Sequence, residues 1–235
     1  MTTATLSASK TRAEIPSLVL LTLSQVVLFL IPLIVLGQAI GWPASLRLPA
    51  SEALPLIARN ATAVQIGYWG YMLTAAAMVP FVIALRRFAQ AKGASGLLVD
   101  TMAAFGIAAA VLKTLGIVRW LLAMPTLATL YGNTTDPAMR AVIEVTYTAT
   151  NAYAGSVGEL LGVQLFSGLW LVLLGLVFAR IGWRLNGVAS LVIGAGFFLN
   201  ALRTMVPELN MLGAILPPVA LAWLIALAVT FWRRG

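Results

Sequence analysis

Three cationic residues, Lys113, Arg119 and Arg203, sit in stretches whose other residues are almost all apolar. A charge at membrane depth costs on the order of several kcal/mol unless it is paired or hydrated, so such residues mark a structural ion pair or a binding site. Glu159 is the carboxylate placed to meet them. With more positive than negative charge at that depth, the chemistry on offer is recognition of an anion, because ammonium and guanidinium groups make charge-assisted hydrogen bonds to carboxylates and phosphates.

Other chemistry is excluded by what the chain lacks. It has no cysteine and no histidine, which removes thiolate nucleophiles, disulfides, iron–sulfur clusters, the usual haem ligands and histidine-based zinc sites. No cofactor and no metal are expected. An embedded enzyme would need Glu159 as general acid or base with Lys113 assisting, and no second carboxylate lies at comparable depth within a span. Enzymatic function is therefore disfavoured.

The elements that must position these residues follow from composition. The chain is 61% hydrophobic and 9% charged, with a mean hydropathy of +0.97, whereas soluble domains are roughly 25% charged. This predicts an all-α polytopic membrane protein, and its 235 residues accommodate about six spans of about 20 residues. The spans are expected near 15–40, 60–85, 96–124, 155–178, 187–206 and 212–231, as a single six-helix transmembrane domain over residues 15–235 behind a mobile polar tail at 1–14. The first apolar run is long for a cleavable signal peptide and reads as a retained anchor.

Trp42, Pro43, Pro49 and Pro55 predict an irregular connection after the first span. Arg86 and Arg87 are read as the stop of the second span, and Pro125 with Tyr131 and Asn133 as the exit of the third. A single helix over 137–180 would approach about 65 Å. It is therefore divided into an amphipathic lead-in to about Tyr153, carrying Glu144 and Asn151, and a true span.

Loop charge predicts orientation. With six spans, nine lysines and arginines (Lys10, Arg12, Arg86, Arg87, Lys92, Arg180, Arg184, Arg233, Arg234) fall on one side and three (Arg47, Arg59, Arg140) on the other. This asymmetry predicts both termini in the cytoplasm and a multi-pass protein of the cell membrane. It also accounts for the net charge of +8, so no nucleic-acid partner is expected. Trp42, Trp69, Trp120, Trp183 and Trp232 fall near the expected interfaces.

Helical rise then places the polar residues by depth. Lys113 and Arg203 are expected level with one another, Arg119 nearer the outer surface, and Glu159 at the outer end of the descending fourth span with Gln164 deeper. Gln65, Tyr68 and Trp69 share a face of the second span, and Trp120, seven residues after Lys113, shares its face. The candidate ligand-binding residues are thus Lys113, Glu159, Arg203, Arg119, Gln65, Tyr68, Trp120 and Gln164, converging on the outer half.

The competing reading is structural. Arg119 is expected to snorkel to the boundary. A static ion pair through Glu159, or Arg203 with Glu208, would satisfy the others without a ligand. The functional readings are binding of a small anionic or amphipathic ligand, a small transporter or channel, and an accessory subunit packing through a lipid-facing stripe of Gly155, Gly158 and Gly162. A transporter is disfavoured by the absence of an internal repeat. Membrane lipids are the expected surroundings, and a homo-oligomer or partner protein is left open.

The run Leu165-Phe166-Ser167-Gly168-Leu169-Trp170, then Leu173-Leu174-Gly175, then Gly187 to Val192 and Gly194-Ala195-Gly196, resembles the DUF4386 family of bacterial membrane proteins. The resemblance covers roughly residues 60–232 and implies a six-helix integral membrane protein with no catalytic residues to carry over. Members often have proline and arginine before the tryptophan of the turn. Here the order is Ile181-Gly182-Trp183-Arg184.

Overall fold

A computed structural model describes the backbone of residues 2–234 and the side chains of residues 15–234. The expected mobile tail at 1–14 concerns side chains outside the described residues; the backbone of Thr2–Ile40 is helical. Helix α1 (Thr2–Ile40) is followed by α2 (Ala50–Arg59), α3 (Ala61–Ala91), α4 (Leu97–Leu121), α5 (Ala123–Asn133) and α6 (Pro137–Gly155). A π-helical segment, Ser156–Phe166, then leads into α7 (Ser167–Arg180), α8 (Arg184–Ala201) and α9 (Leu212–Arg234). Six helical stretches are long and apolar enough to cross a membrane: Ile15–Ile40, Ala61–Ala91, Leu97–Asn133, Pro137–Arg180, Arg184–Thr204 and Pro207–Arg234. The chain is an all-α, multi-pass membrane protein.

Apolar length makes the spans, and glycine ends two of them. Gly93 and Gly182 adopt φ +88° and +82°, conformations in which a Cβ would clash. At each, the two bonds of a Schellman turn close the helix: Ala94 N–H to Ala89 O at 2.9 Å with Gly93 N–H to Gln90 O at 3.0 Å, and Trp183 N–H to Phe178 O at 2.8 Å with Gly182 N–H to Ala179 O at 3.2 Å. The apolar contact that accompanies such a turn is present in the second, where the Trp183 and Phe178 rings stack 5.7 Å apart.

Several boundaries differ from the sequence reading. Arg86 and Arg87 do not stop the second span, which runs on to Ala91, because arginine is a good helix former. Arg86 instead pairs with Asp100 across the turn, at 2.7 Å. Pro125 does not end the third span but lies in the first turn of α5, where a missing N–H costs nothing. The connection at 42–59 is largely helical: Ala50, Ala53, Leu54 and Ile57 recur at helical spacing and are buried. Helix α8 ends at Ala201, and Arg203 sits in the 3₁₀ turn Leu202–Thr204 that closes the fifth span.

The chain forms two compact units, one comprising Met1–Val26, Ala77–Val111 and Leu160–Gly235, the other Val27–Ala76 and Leu112–Glu159. The first unit has a core that includes Met102, Leu174, Val177 and the rings of Phe88, Phe178 and Phe231. Its α7–α8 hairpin is unusually close. A Cβ on Gly168 would stand 2.9 Å from Gly194 O, and one on Gly175 would stand 2.8 Å from Gly187 O. The second unit packs α2, the N-terminal part of α3, the C-terminal part of α4, and α5 and α6 around Leu54, Val64, Tyr68, Trp120, Met124 and Tyr147.

Candidate functional site

The second unit gathers the polar residues that can act together. Arg119, on the last turn of α4, is only 7% exposed. It does not snorkel. Its Nε donates to Asn151 Oδ1 on α6 at 3.1 Å and its Nη1 to the carbonyl of Gly116 on its own helix. Asn151 passes the connection on, its Nδ2 donating to Leu46 O at 3.3 Å. One buried cation thereby ties α4, α6 and the turn before α2 together.

Aromatic rings flank it. The guanidinium lies 5.4 Å from the centroid of Trp120, and Trp120 stacks on Tyr68 at 4.8 Å with the planes 5° apart. A cation near a tryptophan face is attracted by the ring quadrupole, and the more so when water is excluded. Trp120 is 2% exposed and Tyr68 1%, so Trp120 is no part of an interfacial belt. Trp69, expected on the face of Tyr68, is 54% exposed and points away from this core. Gln65 Nε2 donates to Leu121 O at 3.0 Å, capping a carbonyl that the end of α4 leaves without an intrahelical partner.

Glycine makes the room. A Cβ on Gly155 would stand 3.2 Å from Arg119 Nη2, and one on Gly116 would collide with the backbone of Gly158. Gly158 and Gly162 are buried, so the small-residue pattern serves internal packing and is not the lipid-facing stripe that the accessory-subunit reading requires. Glu159 lies in the π-helical segment, half-buried, within electrostatic reach of Arg119, Tyr68 and Tyr71. Short π stretches inside helices recur at functional sites because they re-aim side chains.

The eight candidates divide between the units. Gln65, Tyr68, Lys113, Arg119, Trp120 and Glu159 belong to the second unit, and Gln164 and Arg203 to the first. Lys113 is half-buried on α4, Arg203 is half-buried in its turn, and Gln164 is buried. Among the described residues, no three acidic side chains gather to hold a metal ion.

Tyr147 and Asn151 are residues whose role the sequence reading missed. They are four apart and so share a face of α6, a spacing that could have drawn attention to them. Both line an open groove of about 880 Å³ together with Arg47, Leu48 and Glu144. Glu144 accepts from Tyr131 Oη at 2.8 Å. The hydroxyls of Tyr68 and Tyr147 are buried and have no hydrogen-bond partner, as is also the case for side-chain atoms of Ser45, Gln164, Trp170, Ser190, Asn200 and Trp223.

The family described as "Domain of unknown function (DUF4386)" matches residues 20–232. No curated protein and no solved structure matches the chain.

Proposed function

The chain belongs to the DUF4386 family, and from that premise we propose that this multi-pass membrane protein binds a small anionic or amphipathic ligand at the Arg119 cluster, in the outer half of the cell membrane. What carries the reading is a buried guanidinium, 7% exposed, beside two phenol hydroxyls without partners. Each unsatisfied buried group costs about 1–3 kcal/mol, which a ligand that brings acceptors would recover. An anion offers acceptors to those hydroxyls and a counter-charge to Arg119. Glu159 balances the cation when the site is empty, and Lys113 lies on the same helix, about 120° around it from Arg119.

The test is thermal unfolding of the purified chain in neutral detergent with added phosphatidylglycerol. The lipid is expected to raise Tm of the native chain and to have a markedly smaller effect on Arg119→Lys and Lys113→Met, by linkage of binding to folding. An equal rise in all three would leave Arg119 with a purely structural role.

A further inference from the structure

We infer that the groove beside Tyr147 is the mouth of this site and that its ligand is a single-chain amphipath whose head carries only acceptors, a carboxylate or a phosphate. The inference rests on the reading that the Arg119 cluster binds a ligand.

The groove holds about 880 Å³, within the range of about 300–1,000 Å³ usual for small-molecule sites. Tyr147 lines it while being 2% exposed, and its hydroxyl has no partner. A phenol in that state is a donor awaiting an acceptor. Asn151 lines the same groove. Its oxygen is taken by Arg119, and its nitrogen spends one hydrogen on a long, 3.3 Å bond to Leu46 O. The second amide hydrogen can be given to a ligand. Arg47 stands exposed at the rim and supplies positive charge there.

These groups are donors, so a head that brings donors of its own is poorly matched. The acidic residue of the lining, Glu144, has one oxygen occupied by Tyr131 Oη; its negative charge opposes an anionic head, and Arg47 at the groove with Arg119 behind Asn151 offsets it. Leu46, Leu48 and Val145, also in the lining, offer apolar surface to a chain.

The experiment measures Tm of the purified chain in dodecyl maltoside against laurate, dodecyl phosphate, inorganic phosphate and dodecyltrimethylammonium. Laurate and dodecyl phosphate are expected to raise Tm, with a half-saturating concentration about tenfold higher in Tyr147→Phe, the effect of losing one hydrogen bond to a charged acceptor. Tyr147→Phe keeps the ring and its packing, so it is expected to fold. Inorganic phosphate matching dodecyl phosphate would overturn the amphipath, and dodecyltrimethylammonium matching laurate would overturn the acceptor head. A laurate response weakened in Arg119→Lys but unchanged in Tyr147→Phe would overturn the groove and leave the Arg119 reading standing. A response unchanged in both would end both.

Discussion

Arg119 holds its place through a geometry that lysine cannot copy. Its planar fork gives one hydrogen to Asn151 and another to Gly116 while the ring of Trp120 lies alongside, and an ammonium on a flexible stem has no such fixed fork. Arg119→Lys is therefore expected to lose about 2–3 kcal/mol of stability without ligand, read as a fall in Tm. Asn151→Ala should lose a comparable amount, and the double variant less than the sum of the two, because they share one bond. Additive losses would mean that the pair is not coupled. Position along a helix was legible in the sequence, since it is a matter of counting residues. Burial was not, because what holds Arg119 inside is a partner on α6, a helix read as a lead-in, and a missing side chain at Gly155.

At the scale of the element, the glycines sort by what faces them. A methyl group on Gly116 meets backbone of Gly158, whereas one on Gly155 meets the end of the Arg119 side chain at 3.2 Å. Backbone cannot move aside cheaply and a side-chain tip can. Gly116→Ala is expected to cost about 1–3 kcal/mol, and Gly155→Ala distinctly less, in the same Tm assay; the reverse order would mean that the α4 contact is loose. The glycines that carry the family resemblance, Gly168, Gly175, Gly187 and Gly194, turn out to line the α7–α8 contact. Their pattern was legible as a motif because close approach of two helices leaves no alternative to glycine. Prolines misled where position within a helix matters. Pro125 and Pro55 look like breaks in a linear reading, yet each lies inside a short helix, α5 and α2.

For the whole molecule, six spans and their approximate limits were legible because hydrocarbon thickness sets them, and the chain's sidedness is the remaining large-scale expectation. Arg47, Arg59 and Arg140 fall on one side against the nine basic residues of the other. The bias still favours cytoplasmic termini, since the positive-inside tendency counts lysine and arginine in short loops. The absence of native cysteine makes it directly measurable. Single cysteines at Lys92, in the α3–α4 turn, and at Thr135, between α5 and α6, both exposed, lie on opposite sides of the predicted arrangement. In intact cells a membrane-impermeant maleimide is expected to label Thr135→Cys and to reach Lys92→Cys only after permeabilisation. Labelling in the opposite order would invert the protein, and the Tyr147 groove would then draw its ligand from the cytoplasmic face.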